Sequence, residues 1–221
     1  MPADVQLRLT GRSSSHFTRV ARIVAHELRL PLELRVAHEL MSLDTAAFGG
    51  HPALKLPTLH IGEAMLFGTD NICRRLAELA SRGDDPSVVL SHRLTSDLSR
   101  NAQELVWHSM AAQVQLVIGV QLAKLPAENV YFSKAAAGLQ GALGWLDERL
   151  EQVRSELPPS RCFSVFEVTL FCLLEHLAFR PTVQLDELSN LRGFAREFAA
   201  RDSARRTVYR FDPPPNHEEN P

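Results

Sequence analysis

With 221 residues, of which 45% are hydrophobic and 23% charged, the chain has the composition of a soluble globular protein and can form one large or two small domains. A formal net charge of −2 gives no electrostatic case for nucleic acid or an anionic membrane surface as a partner. Cys73, Cys162 and Cys172 stand far apart with no CxxC, which argues against a disulfide framework and a thiolate zinc site. Residues 1–11 have no apolar signal core, and no stretch approaches the roughly 18 apolar residues of a membrane span. The expectation is a reduced, cytoplasmic protein without a metal.

Gln6-Leu7-Arg8-Leu9 alternates with period two, as a half-buried strand does. Small polar residues follow, with Ser14 or Ser15 suited to cap a helix whose face is Phe17, Val20, Ala21, Val24 and Leu28. Pro31 stops that helix, and Leu32 to Val36 alternates again. Strand, helix and strand within some thirty residues predict a βαβ unit with a right-handed crossover. Residues 43–53, with Gly49-Gly50 and Pro52, read as irregular loop.

Residues 55–79 supply the rest of the first unit. Leu56 to Ile61 and Ala64 to Phe67 are β-prone runs joined by Gly62-Glu63, a hairpin signal of type II′ character. Thr69 suits an N-cap, Asp70 suits the positive helix end, and Ile72, Leu76 and Leu79 form an apolar stripe. The order βαβ-ββα is thioredoxin-like. Residues 82–90, entered through Ser81-Arg82-Gly83-Asp84-Asp85-Pro86, read as a linker between a domain at 1–81 and one at 91–210.

The second domain is expected to be an all-α helical bundle. Leu94 to Leu116 and Leu139 to Val153 each carry one apolar face, with stops at Leu125-Pro126 and Pro158-Pro159. From Phe163 to Phe179 the pattern is apolar nearly all round, which puts that helix in the middle of the bundle. Ser164 and Glu167 have the spacing of a capping box, with Phe163 and Val168 as its hydrophobic staple. Leu188, Leu191, Phe194 and Phe198 make a last stripe, and residues 211–221, rich in proline, read as a fraying tail.

Three segments carry a family resemblance. Leu56-Pro57-Thr58-Leu59 resembles the start of the third strand in the cytosolic glutathione transferases. The stretch SVFEVTLFCLLEHLAFRP, opening on Ser164-x-x-Glu167, is similar to that family's buried central helix. The segment from Leu191 through Arg201 to Tyr209 resembles its ending. The chain is on this basis identified as a member of the glutathione transferase superfamily, of a Ser-type bacterial kind. The resemblance implies glutathione as co-substrate, a small electrophile as second substrate, a homodimer, and no metal, nucleic acid or membrane. It also implies an activity: conjugation of the glutathione thiolate to the electrophile. The alternatives are a non-catalytic binding or regulatory protein on the same fold, and a glutathione-dependent isomerase of the maleylacetoacetate type.

The resemblance places Ser15 at the position of the thiolate-stabilising hydroxyl, with Ser13 and Ser14 as neighbours able to replace it. It implies a cis Leu56–Pro57 bond, with the backbone at Leu56 pairing with the cysteinyl part of glutathione. Lys55 would meet the glycine carboxylate, and Gly68-Thr69 the γ-glutamyl group. At Gly68 the sequence departs, since the family usually carries Glu or Gln there. One missing hydrogen bond to a charged group weakens binding by about ten- to a hundredfold. Trp107, His108, Ser109 and Gln113 fall on the helix that walls the second-substrate pocket in the family. The repeated Val-Ala-His-Glu-Leu, at 24–28 and 36–40, lacks the second histidine of a His-Glu-x-x-His zinc motif.

Overall fold

The computed structural model describes residues 6–214. The readings of residues 1–5 and of the tail from 215 onward lie outside the described residues. The N-terminal unit runs β1 (Leu7–Gly11), α1 (His16–Glu27), β2 (Leu32–Val36), β3 (Thr58–Ile61), β4 (Ala64–Phe67) and α2 (Thr69–Leu79). Its four strands lie in the order β2-β1-β3-β4, with β1 parallel to β2 and the other two pairings antiparallel. β1 is central, so Leu7 and Leu9 are buried, whereas β2 at the edge alternates between half-buried and exposed residues. Gly62 adopts φ +58° in the two-residue loop joining β3 and β4, and Glu63 keeps a negative φ, as a type II′ turn requires. This is the expected thioredoxin-like arrangement.

The segment from 80 to 96 is ordered by side chains. Arg82 donates to Asp85 (2.8 Å) and Ser87 (2.9 Å), and Arg93 reaches the carbonyl of Gly83 at 2.6 Å. Within it β5 (Val88–Val89) pairs in parallel with β6 (Phe163–Ser164), so the remainder of the chain is not purely helical. The helices are α3 (Asp97–Leu116), α4 (Val130–Ser155), α5 (Val165–Phe179), α6 (Ser189–Ala199) and the short α7 (Asp202–Arg205). α3 continues through a π-helical stretch, Val117–Leu122. By length and mean hydropathy alone, the run Asp97–Leu122 reaches the threshold of a bilayer-crossing helix, contrary to the sequence reading. Here it packs against α4 and α5. α5 is buried along nearly its whole length, as its unbroken apolar pattern predicts.

Three local expectations are corrected. Residues 43–53 contain a 3₁₀ turn, Thr45–Phe48, capped by Asp44, whose carboxylate accepts from the Ala46 amide at 2.9 Å. Thr69 is the first residue of α2 rather than its cap; Gly68 holds the N-cap position at φ +81° and offers no side-chain bond. Ser164 does cap α5, but the capping box does not form: its hydroxyl is buried without a partner. Glu167 instead accepts from Arg161 at 2.7 and 2.6 Å and from Arg154 at 3.3 Å. Two guanidinium groups outcompete one backbone amide, because charge-assisted bidentate bonds are the stronger kind.

The three cysteines are unpaired. Burial pushes the Cys172 thiol up to about 12 and raises that of Cys73 as well, so neither supplies a thiolate near neutrality.

Glu167 is 6% exposed and serves both arginines, so its removal leaves two cations facing a buried gap. Glu167→Ala should destabilise the protein by about 3 kcal/mol. Glu167→Gln should cost less. Urea denaturation measures both, and an alanine variant within experimental error of wild type would show that the network is solvated.

Candidate functional site

The sheet register brings three loops to one edge. Thr10 of β1 lies opposite Thr58 of β3, which lies opposite Phe67 of β4. The chain leaving β1 (12–15), the chain entering β3 (55–57) and the chain leaving β4 (68–69) therefore emerge side by side. Ser15, Lys55, Leu56, Pro57, Gly68 and Thr69 are far apart in sequence but share this edge.

Ser15 is the N-cap of α1, and its hydroxyl oxygen accepts from the Thr18 amide at 3.3 Å. Capping uses a lone pair and leaves the O–H free to donate to an outside group. The first-turn amides of His16 and Phe17 have no partner within the helix, so positive potential collects at the same point. Ser14 and Ser15 are half-buried, whereas Ser13 is 1% exposed with its hydroxyl sealed inside. Burial removes Ser13 as a donor to an incoming ligand.

The Leu56–Pro57 peptide is cis. Neither the N–H nor the C=O of Leu56 bonds to any described residue, so both are free to pair with an extended ligand. Lys55 is exposed and makes no ion pair among the described residues. Thr69 is 6% exposed and is the first residue of α2, so its backbone amide stands at the helix terminus. Asp70 is engaged by Arg74 at 3.2 Å.

His51 joins this edge although the sequence reading passed over it. Its ring lies 4.4 Å from that of Phe67, and its Nδ1 accepts from the Ala53 amide at 3.0 Å, leaving Nε2 unpartnered. Desolvation, with Lys55 close by, lowers its pKa. Its only sequence signal is the position after Gly49-Gly50.

From the helical domain, α3 supplies one wall. Trp107 stacks parallel to Phe17 with centroids 6.1 Å apart, closing the domain interface beside Ser15. The other residues picked from this helix are not brought to the site. His108 is exposed, Ser109 is buried, and Gln113 is committed to the Arg180 carbonyl (2.9 Å) and to the Thr182 hydroxyl. Two clefts, of about 220 and 210 Å³, are lined by residues of the inter-domain segment and the helical domain, and include none of these side chains.

Beneath Ser15 lies a histidine pair that the sequence did not reveal. The rings of His16 and His176 meet edge-on at 4.4 Å. Burial first, and then His176, hold the pKa of His16 well below the ordinary histidine value. His176 is brought down to about 4 by burial and by Arg180 and Arg19. Gln113 Nε2 stands 3.2 Å from His176 Nδ1, and with its oxygen taken by Thr182 it donates to an unprotonated ring nitrogen. Among the described residues no group of three or more His, Cys, Asp or Glu side chains is placed to hold a metal.

Residues 9–84 match the family described as glutathione S-transferase, N-terminal domain. The match places the first domain in that family and covers about a third of the chain. No curated protein matches it in sequence. Among solved structures, a glutathione S-transferase from Methylobacillus flagellatus KT with GSH bound is 19% identical; the match covers 93% of this chain and 100% of that one, with a TM-score of 0.71. One from Methylobacterium radiotolerans JCM 2831, in complex with glutathione sulfonate, is 19% identical over 94% of this chain and 97% of that one, with a TM-score of 0.74. A glutathione transferase family member from Pseudomonas fluorescens Pf-5 with bound glutathione is 18% identical over 93% and 100%, with a TM-score of 0.75. In this fold Ser15 lies two residues before Phe17, whose ring stacks on Trp107 of α3.

The histidine pair gives the transferase fold a defined pH dependence. Both folded-state pKa values lie below the unfolded value near 6.5, so the unfolded chain binds more protons as the medium becomes acid. Stability is full above about pH 6.5 and falls between there and about pH 4, where His176 itself protonates. The loss from His176 is on the order of 3 kcal/mol. His176→Phe should flatten urea-derived stability across that window; an unaltered slope would show that another group dominates.

Proposed function

We propose that the protein binds glutathione along the sheet edge and transfers its thiolate to a small electrophile. The observation that carries this reading is the meeting at one edge of a capping hydroxyl with a spare proton, a helix N-terminus and an unpaired backbone segment at Leu56. A free thiol has a pKa of roughly 8.5, so a transferase must favour the thiolate near neutrality. Ser15 donates its O–H to the sulfur, and the first turn of α1 adds positive potential. Leu56, beside Pro57, pairs with the cysteinyl backbone, Lys55 and His51 take the glycine carboxylate, and the α2 terminus at Gly68-Thr69 takes the γ-glutamyl carboxylate. The electrophile lies against Phe17 and Trp107. The Ser-type assignment and a cytoplasmic setting belong to the same proposal.

Calorimetric titration with glutathione, followed by conjugation to a generic aryl halide, tests it. Binding at millimolar glutathione or tighter is expected, and none would refute the reading. Ser15→Ala should lower kcat by about ten- to a hundredfold, the worth of one hydrogen bond to a charged group, and change affinity much less. Equal turnover in the variant would remove Ser15 from the chemistry. Gly68 favours a second reading, a non-catalytic binding protein, because the α2 N-cap has no side chain to hold an ammonium group and Asp70 of the first turn is paired with Arg74. Glutathione binding without conjugation of any aryl halide would select it.

A homodimer accompanies the proposal. Met41 and Leu43, 71% and 88% exposed, are apolar side chains in need of cover on the first domain. Sedimentation should show a dimer at micromolar concentration, and a monomer would exclude it.

A further inference from the structure

The turn that presents Ser15 is not held by its own domain alone. Within the first domain it has the Ser15 amide on the Arg12 carbonyl (3.1 Å), the Arg12 amide on the Thr18 hydroxyl (3.3 Å) and the Arg12 side chain on the His38 carbonyl (3.1 Å). None of these satisfies the Ser13 amide, and Ser13 is 1% exposed. A buried amide needs a partner. It finds the carboxylate of Asp212, at 2.9 Å, across 199 residues of sequence.

Asp212 is delivered by a strap anchored at alternate steps. The Thr207 hydroxyl donates to the Ser203 carbonyl (2.7 Å) and accepts from Arg19 (3.3 Å). Tyr209 is 8% exposed, donates to the Cys172 carbonyl at 2.6 Å, and lays its ring 4.3 Å from the Arg19 guanidinium. Phe211 packs on Phe179 (5.0 Å) and beneath Arg180 (4.9 Å). Three anchors within five residues fix the approach of the carboxylate, so its bond to Ser13 is part of the fold rather than a passing surface contact.

We propose that Asp212 is a positioning residue for Ser15: through the Ser13 amide it sets the turn that aims the Ser15 hydroxyl, and thereby makes that aim depend on the helical domain. This inference rests on the role given to Ser15 above. A charge-assisted bond to a backbone amide is the strong kind, and asparagine in the same place still accepts from the amide without the charge.

The test compares Asp212→Ala with Asp212→Asn in the full chain. With D212A, kcat for aryl halide conjugation should fall about tenfold. The pH–rate profile should move to higher pH, as expected of a less stabilised thiolate, with KM for glutathione changing less than about twofold. D212N should stay within about twofold of wild type with an unmoved pH profile. In the absence of ligand, hydrogen exchange at the Ser13 amide should accelerate at least about tenfold in D212A and not in D212N. A D212A variant with the wild-type pH profile, or a D212N variant as impaired as D212A, would overturn the proposal. If wild type neither binds nor conjugates glutathione, the functional reading has failed, and the exchange measurement alone decides the structural part: an unchanged Ser13 amide in D212A would overturn it.

Discussion

Burying the guanidinium of Arg19 is the constraint on which the domain arrangement depends. Arg19 is 1% exposed, in the first turn of α1, a helix that packs against both α2 and α5. Taking an ion out of water costs several kcal/mol unless its surroundings replace the lost hydration. Here most of that comes from the far end of the chain, through Ala204 O at 3.2 Å, the Thr207 hydroxyl and the Tyr209 ring (4.3 Å), with the Phe171 ring of α5 at 4.8 Å; Nη1 has no hydrogen-bond partner. The nearest carboxylate, Glu175, stands 4.0 Å away. Arg19 therefore keeps its hydrogen bonds through Nε and Nη2 only while residues 204–209 lie across α1. Docking of the C-terminal segment and burial of α1 are one event, and the Asp212–Ser13 contact follows from it.

The proposed site inherits this dependence. α1 begins at the seam between the domains, with Ser15 facing the sheet edge and His16 facing inward onto His176. One residue step thus separates a hydroxyl available to ligand from an imidazole sealed in the bundle. Both are fixed by the same helix start. A shift of the seam would disturb the stacking of Phe17 on Trp107, the histidine contact and the direction of the Ser15 hydroxyl together.

Much of this was legible in the sequence, for physical reasons that also mark the limit. Period-two alternation in 6–9 and 32–36, the apolar face of 17–28 and the unbroken apolar run of 163–179 report local burial, and local burial decides element type. Ser15 was legible because a small polar residue before an apolar helix face has few other uses. The Asp212–Ser13 bond and the His16–His176 pair have no local period, since each joins residues more than 150 positions apart; the proline-rich ending even suggested fraying from residue 211, where Phe211 and Asp212 are docked. The capping box failed for a different reason. Its spacing was correct, but Glu167 had two arginines within reach, one of them from α4, and a pattern in one segment cannot report a competitor in another.

The Gly68 position looks like a loss only when recognition is counted in side chains. The groups gathered at the sheet edge are largely main-chain: the free N–H and C=O of Leu56, the first amides of α1, and the amides at the start of α2 opened by Gly68 at φ +81°. Main-chain donors are set by the fold and survive substitution of the residues that carry them. The fold itself is kept against the Methylobacillus, Methylobacterium and Pseudomonas structures, at TM-scores of 0.71 to 0.75 with 18–19% identity. Side chains then adjust affinity and chemistry at a few points, and the two that stand out here pull in opposite directions. Ser15 adds a directed proton donor, and Gly68 subtracts an acceptor. Under the proposed reading the first would act on the sulfur and the second on the opposite end of the ligand, so weaker binding and thiolate stabilisation are compatible in the same molecule.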